Sequence, residues 1–257
     1  MGTPTTSPAR LSDAYAAVMQ RVAAAAERSG RPGDAVNVVA VTKYAAPDQI
    51  RQLVELGHAD LGESRAQQLQ QRVPQLAEYL ERRDRMADVS DNKDRAAVPD
   101  KVRWHMIGQL QRNKAKQIAP LVDLIHSVDS LRLAEELQAI AGKREQQVDL
   151  LIQVNIAGEA DKGGVALPAA VHLAETIDSM LDLRLRGLMC MAPYADDPEQ
   201  ARPVFKRCAE LFSEVRKEGI GGETFNVLSM GMSGDYEVAI EEGANVVRIG
   251  SALFGDG

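Results

Sequence analysis

A lysine at the end of an apolar stretch is the first residue of this chain whose type and position could do chemistry. Residues 36–44 read Val-Asn-Val-Val-Ala-Val-Thr-Lys-Tyr, and such a β-branched run is typical of a strand buried on both faces. Lys43 then lies at the carboxyl end of that strand. Ligands bind at this end of a parallel sheet or barrel, so Lys43 is a candidate amine nucleophile. The alternative is a lysine that simply extends into solvent.

Two later stretches combine glycine with hydroxyl side chains and could bind a phosphate. Ser229-Met230-Gly231-Met232-Ser233 follows one predicted strand, and Gly250-Ser251 follows the last one. Glycine lets the backbone approach an anion and leaves amide donors free, while the hydroxyls add further donors. We therefore expect a phosphate-bearing ligand between these two loops. Ser233 has an alternative role as the cap of the next predicted helix, where Asp235 would repel an anion.

Arg248 is a cation on an otherwise apolar predicted strand, where it needs either a polar ligand or a buried ion pair. Glu63 and Asp129 are the candidate carboxylates for such a pair. A lysine amine, a phosphate site and an arginine at one rim together suit a phosphorylated aldehyde, of which pyridoxal 5'-phosphate (PLP) is the obvious one. Arginine cannot give up its proton, so Arg248 would leave the pyridine nitrogen unprotonated. That favours holding the cofactor, or a narrow chemistry, over broad carbanion catalysis.

The elements that must bring these residues together alternate regularly along the chain. The pattern predicts strands at 36–44, 59–63, 102–108, 122–128, 148–156, 183–189, 224–228 and 245–249. Helices are predicted between them, and one more, at 11–28, precedes the first strand. The predicted fold class is α/β, a single (β/α)8 TIM barrel over residues 1–257 whose extra N-terminal helix completes the outer ring. An open doubly wound sheet would need a glycine-rich turn after an early strand, and Lys-Tyr-Ala-Ala-Pro stands there instead.

Other polar residues in or just after the carboxyl-terminal parts of predicted strands are further candidates for cofactor contacts. They are Ser64, His105 and Asn155. His105 has an alternative role as a hydrogen-bonded core imidazole beside Trp104. The four histidines show no metal-ligand spacing, so no metal site is expected.

Composition excludes several classes of protein. A net charge of -7 argues against a nucleic-acid binder, and no apolar run approaches the length of about 20 residues that spans a membrane. Cys190 and Cys208 lack metal or disulfide spacing, which favours a reducing, cytoplasmic setting. Residues 1–10 are expected to be flexible. The charge-rich segment 81–102 is expected to be a solvated helix extension and loop, with partner docking as the alternative.

Several motifs distributed over nearly the whole chain carry a resemblance to a known family. They are Val39-Ala40-Val41-Thr42-Lys43, Gly62-Glu63, residues 104–114 (Trp-His-Met-Ile-Gly-Gln-Leu-Gln-Arg-Asn-Lys), His126-Ser127-Val128-Asp129, Gln153-Val154-Asn155-Ile156, Leu185-Arg186-Gly187-Leu188-Met189, Leu228-Ser229-Met230-Gly231-Met232-Ser233 and Val247-Arg248-Ile249-Gly250. Together they resemble the pyridoxal phosphate homeostasis protein family, which shares its barrel with the amino-terminal domain of alanine racemase.

The resemblance implies site residues and a role. Lys43 would form the covalent aldimine with PLP, Arg248 would contact the ring nitrogen, and the residues around the phosphate would be Ser229, Met230, Gly250 and Ser251. The family usually has Asn where this chain has Ser64. The implied protein is a monomer without catalytic turnover that holds and buffers PLP and delivers it to apo forms of PLP-dependent enzymes. The alternative is a small PLP-dependent racemase or lyase that uses Lys43 with His105 or Cys190 as the base.

Overall fold

Parallel strands form the centre of the protein, whose computed structural model describes residues 8–90, 98–99, 101–159 and 163–255. All but the short β6 belong to one closed barrel. Their bounds are β1 (Asn37–Val41), β2 (Asp60–Glu63), β3 (Arg103–Met106), β4 (Leu124–Val128), β5 (Val148–Asn155), β6 (Val165–Ala166), β7 (Leu183–Met189), β8 (Val227–Ser229) and β9 (Val246–Ile249).

The barrel closes because each strand pairs in parallel with its neighbours on both sides. Sequential strands are adjacent, and the pairing of β1 with β9 completes the ring. At the seam, Ala40 of β1 pairs with Leu61 on one side and with Ile249 on the other. The apolar, β-branched runs suit strands that are covered by helices outside and by side chains inside. All strand carboxyl ends therefore meet at one rim, the end of the barrel called the rim below.

Helices surround the barrel, and α1 fills the place in the outer ring that the sequence predicted for it. It packs against α2, α8 and α9, and its Arg28 forms an ion pair with Glu241 at 2.8 Å. The helices are α1 (Pro8–Arg28), α2 (Pro47–Glu55), α3 (Ala66–Ser90), α4 (Arg112–Ile118), α5 (Leu131–Arg144), α6 (Leu167–Asp178), α7 (Arg202–Lys217), α8 (Tyr236–Glu241) and α9 (Ser251–Phe254). None of the helices in these described ranges is both long enough and apolar enough to cross a bilayer.

The predicted (β/α)8 barrel is confirmed, and the differences from prediction lie in element lengths. Seven of the eight barrel strands are one to four residues shorter than predicted, and β7 has its predicted bounds. The two-residue β6, which the sequence did not reveal, pairs with the end of β5. The first part of the segment 81–102 continues α3 as far as Ser90. Residues 1–7, 91–97 and 100 lie outside the described residues. The predictions of a flexible segment at 1–10 and of a loop within 81–102 fall partly on them.

Gly187 provides a test of how closely β7 and β8 approach. Its φ is 149°, a conformation that favours glycine, and a Cβ built there would lie 1.8 Å from the carbonyl oxygen of Val227. We expect Gly187→Ala to lower the free energy of unfolding by more than about 2 kcal/mol, measured by urea denaturation. Gly234→Ala is the control, since a Cβ there meets nothing within 4 Å. Equal effects of the two changes would contradict the assigned β7–β8 contact.

Candidate functional site

A cavity of about 680 Å³ opens at the rim, in the position where the sequence predicted the site. Loops that follow the strands form its wall, and the segment after β7 supplies an apolar side that includes Met191 and Pro193. Most of the predicted contact residues line this cavity, namely Lys43, Ser64, Ser233, Arg248, Gly250 and Ser251. The fold therefore gathers side chains from the loops after β1, β2 and β8, from β9 and from the residues that follow β9.

Lys43 lies just beyond β1 and is partly exposed. Its Nζ is 4.7 Å from the centroid of the exposed Tyr44 ring, a cation–π contact. The carbonyl of Lys43 accepts a hydrogen bond from Gln68 of α3 at 3.3 Å. The amine thus faces an open cavity, while the backbone that carries it is held from α3.

Arg72 of α3 fixes the turn that carries Lys43. Its guanidinium donates to the carbonyls of Thr42 and Ala45, the latter at 2.9 Å, and it forms an ion pair with the fully buried Glu63. The Thr42 hydroxyl donates to the same Glu63 carboxylate at 2.5 Å. Charge-assisted bonds of this kind are stronger than neutral ones. Arg72 and Glu63 therefore set the direction in which Lys43 leaves the strand.

The two hydroxyl- and glycine-bearing loops meet on the opposite side of the cavity. The Ser233 hydroxyl accepts hydrogen bonds from the amides of Gly250 at 3.1 Å and Ala252 at 3.3 Å. The Ser233 oxygen thus accepts from two amide donors that could also bind an anion. The alternative role of Ser233 as a cap of α8 is wrong, because α8 begins at Tyr236, after Asp235.

Arg248 is the buried cation of the site, with 3% of its surface exposed. Its side chain donates to the Ser229 hydroxyl at 2.6 Å and to the Cys190 carbonyl at 2.9 Å. Burial lowers the pKa of the Arg248 guanidinium, which nevertheless stays protonated. The predicted ion pair of Arg248 with Glu63 or Asp129 is not found among the described residues, where Glu63 pairs with Arg72 and Asp235 is the carboxylate whose charge acts on Arg248.

Four of the predicted contact residues do not line the rim cavity. His105 lies in the barrel interior and lines a different cavity at the opposite, amino-terminal mouth. The Asn155 side chain organises its own loop, bonding to the Glu159 carbonyl and the Gly158 amide. Ser229 and Met230 are fully buried, and the Met230 amide donates to the carbonyl of Val246 at 3.1 Å.

Cys190 and Cys208 are both free and buried. A hydrogen bond between the two thiols, together with burial, raises the pKa of Cys208 well above its usual value. Neither cysteine lines the rim cavity. The pair thus behaves as part of the core and offers no base to a ligand at the rim.

Sequence reasoning did not single out Arg72, although a signal was present. Arg72 lies three residues after Leu69 and four before Leu76, and both leucines are buried. A basic residue on the buried stripe of an amphipathic helix needs a buried partner, so its position was informative. His126 carried a similar signal as a polar residue inside a strand that is buried at every position.

The fold and the rim site define the class, a parallel barrel with a lysine at its rim, and comparison with known proteins identifies the same class. A family model described as the N-terminal domain of alanine racemase matches residues 13–257. An alanine racemase from Corynebacterium glutamicum shares the barrel, with a TM-score of 0.60 at 13% identity over 92% of this chain and 60% of that one. At that identity the likeness concerns the fold alone.

Relatives with higher identity narrow the class to a single family. Proteins named pyridoxal phosphate homeostasis protein are 37% identical in Aquifex aeolicus, over 93% of this chain and 95% of that protein, and 34% identical in Pseudomonas aeruginosa, over 95% of each. A structure of PipY from Synechococcus elongatus with PLP bound has a TM-score of 0.73 and 30% identity, covering 93% of this chain and all of that one (100%). The chain belongs to the pyridoxal phosphate homeostasis protein family.

The turn that carries Lys43 can be tested through Arg72. We expect Arg72→Met to lower the free energy of unfolding by about 3 kcal/mol, because it leaves the Glu63 carboxylate buried without its cation. Urea denaturation of the purified protein measures the change. Arg82→Met is the matched control on the same helix: Arg82 pairs with Glu78 at the surface, and its loss should cost less than about 1 kcal/mol. Similar losses in both variants would contradict the assigned role of Arg72.

Proposed function

We propose that this chain is a single-domain, monomeric carrier that binds PLP at the rim and buffers it, without turning over amino acids. The observation that supports this most directly is that an amine, an amide and hydroxyl cluster, and a buried guanidinium line one cavity. PLP supplies an aldehyde that condenses with a lysine amine, and Lys43 is the amine in position to receive it. Buried free thiols at Cys190 and Cys208 agree with the cytoplasmic location that belongs to this proposal.

The phosphate end of PLP fits the side of the cavity formed by the loops after β8 and β9. There the Ser233 oxygen already accepts from the Gly250 and Ala252 amides, so the donors that an anion needs are in place. The exposed Ser251 hydroxyl stands beside them in the wall of the cavity. A Cβ at position 250 would lie 3.3 Å from Val41, so glycine there lets the backbone pass close to β1. We assign the phosphate to Ser233, Gly250 and Ser251.

Arg248 completes the arrangement as the donor to the pyridine nitrogen. A guanidinium cannot accept a proton, so the nitrogen that receives its hydrogen bond stays unprotonated. An unprotonated ring withdraws electrons weakly, which limits the carbanion chemistry that bound PLP can support. This property suits a protein that holds the cofactor for later release.

The positions of the candidate bases favour the carrier over a racemase or lyase. His105 lines the cavity at the opposite mouth, and Cys190 is fully buried, so neither faces a ligand beside Lys43. The relatives with the highest identity described above are named as homeostasis proteins. Exposed Tyr194, which lines the cavity, and exposed Tyr44, next to Lys43, would allow close approach of a second protein. Apo forms of PLP-dependent enzymes are the acceptors in this proposal.

Replacing the amine tests covalent binding. We expect wild-type protein incubated with PLP to gain a visible absorbance band, and borohydride reduction to place the label on Lys43. Lys43→Ala should lose the band, whereas Lys114→Ala, which removes an exposed lysine at the start of α4, should retain it. The loaded wild type should neither racemise nor cleave amino acids. Stereoinversion or elimination that requires Lys43 would establish the enzymatic alternative instead.

The phosphate assignment can be tested by comparing PLP with pyridoxal, which lacks the phosphate. Ser251→Ala removes one hydroxyl donor, so we expect PLP affinity to fall about 3- to 10-fold while pyridoxal affinity stays unchanged. Ser213→Ala on α7 is the control, since Ser213 is exposed and bonds only to the Ala209 carbonyl in its own helix among the contacts described. Spectroscopic titration gives the dissociation constants. An equal loss for both ligands would show that the phosphate is bound elsewhere.

A further inference from the structure

A chain of hydrogen bonds crosses the interior of the barrel from the candidate site to the opposite mouth. All its members are buried, with 8% or less of each whole residue exposed. In order, its contacts are Arg248 to Ser229 Oγ at 2.6 Å, Ser229 Oγ to His126 Nδ1 at 3.0 Å, His126 Nε2 to His105 Nδ1 at 3.0 Å and His105 Nε2 to Asp60 Oδ1 at 3.0 Å. This series is called the interior chain below.

The two ends of the interior chain open into different cavities. Arg248 lines the rim cavity, where the lysine and the phosphate donors lie. Asp60 and His105 line a second cavity of about 670 Å³ at the amino-terminal mouth. There Arg103 forms a bidentate pair with Asp60, at 2.7 and 2.5 Å. Groups at one end of the barrel are thus connected to the site at the other.

The direction of the hydrogen bonds is fixed at the two ends, where Arg248 can only donate and the Asp60 carboxylate can only accept, and between them it follows from the histidine tautomers. Arg248 can only donate, so Ser229 accepts from it, and we assign the histidines the tautomers in which the Ser229 O–H donates to His126 Nδ1. His126 then carries its proton on Nε2 and donates to His105 Nδ1. His105 in turn donates from Nε2 to the Asp60 carboxylate. Every proton of the interior chain points away from the rim and toward Asp60.

The electrostatics of the two interior groups agree with this direction. Burial lowers the pKa of His126 well below its usual value, and the positive charge of Arg248 lowers it further, so His126 stays neutral. Burial alone would raise the pKa of Asp60, but hydrogen bonds from Arg103 and His105 outweigh it and keep the pKa below its ordinary range. These proton positions require His126 to be neutral and Asp60 to be ionised.

The interior chain accepts a hydrogen bond from Arg248 and ends on the negative charge of Asp60, so it takes over part of the role of an ion pair. Asp235, which lines the rim cavity, attracts this buried cation, but the side-chain hydrogen bonds described for Arg248 go to the Ser229 hydroxyl and the Cys190 carbonyl. Burying an arginine and two histidines costs free energy that apolar side chains in the same space would not. Hydrogen bonds that all point one way polarise one another, and here they end on a negative charge. The guanidinium is thereby held in one orientation.

We propose that Asp60, His105 and His126 are positioning residues that hold Arg248, through Ser229, as a fixed hydrogen-bond donor to the ring nitrogen of bound PLP. This inference rests on the proposed function. It adds that residues on the far side of the barrel, none of which lines the rim cavity, contribute to recognition of the pyridine nitrogen. Their removal should weaken that recognition in particular, and not the binding of the rest of the cofactor.

The test compares PLP with 1-deazapyridoxal 5'-phosphate, which carries C–H in place of the ring nitrogen. We expect wild-type protein to prefer PLP by about 10-fold, the effect of one hydrogen bond from a charged donor. His126→Leu interrupts the interior chain and should reduce the preference to about 2-fold or less. Asp60→Asn removes only the terminal charge and should give an intermediate preference. Dissociation constants come from spectroscopic titration of each ligand.

Asp149→Asn is the matched control at the same mouth. Asp149 pairs with Arg184 and Arg186 and lines the same cavity, and its side chain is 11% exposed against 12% for Asp60, but it lies outside the interior chain. We expect it to keep the wild-type preference. Thermal melts of the apo variants check folding, and if Asp60→Asn or His126→Leu does not fold, His105→Gln and Ser229→Ala provide the same comparison.

The outcomes separate this inference from the function on which it rests. If the interior-chain variants lose affinity for both ligands equally, their role is structural and the inference is wrong. If wild type binds both ligands equally, Arg248 does not recognise the ring nitrogen, and the inference fails while PLP binding stands. If wild type binds neither ligand, the proposed function itself fails.

Discussion

The burial of one permanent positive charge, that of Arg248, explains much of what is unusual in this barrel. A guanidinium this far from water needs its donors satisfied, and its described side-chain hydrogen bonds go to a hydroxyl and a backbone carbonyl. The interior therefore contains a serine and two histidines where a barrel core normally contains branched aliphatic side chains. The carbonyl of Cys190 takes another donor, which ties the loop after β7 to β9. The polar core and the rim site are thus two parts of one arrangement.

Lys43 depends on a different buried charge. Its side chain lines the open cavity. Whether the amine can reach a ligand therefore depends on the direction of the backbone that carries it. Arg72 and Glu63 hold that backbone from α3 and β2, which keeps the amine on the rim without burying it. The site therefore combines a buried donor, Arg248, with a turn that Arg72 holds in place and an accessible amine, that of Lys43. This combination suits a cofactor that must be held and later released.

The two mouths of the barrel differ in chemistry although their cavities have similar volumes. The amino-terminal mouth is lined by arginines that are already paired with Asp60 and Asp149, so its charges mostly satisfy one another. The rim instead brings together an amine, hydroxyls and amides whose common partner would be a phosphorylated aldehyde. Cavity volume therefore does not tell the binding site from the opposite mouth. The two mouths differ in whether their charged groups are already paired with one another.

Sequence alone determined the alternation of strands and helices, the barrel and the family, because apolar periodicity and contiguous motifs are local properties of the chain. It also determined that Lys43, Arg248 and the glycine-bearing loops share a rim, since strand ends in a parallel barrel must meet. Tertiary structure alone decided which polar residues face the cavity. His105 lies within β3 and Ser229 ends β8, and both point into the interior, because side-chain direction depends on strand twist and register. The partners Arg72–Glu63 and His126–Ser229 are also tertiary facts, since residues distant in sequence become neighbours only when the ring closes.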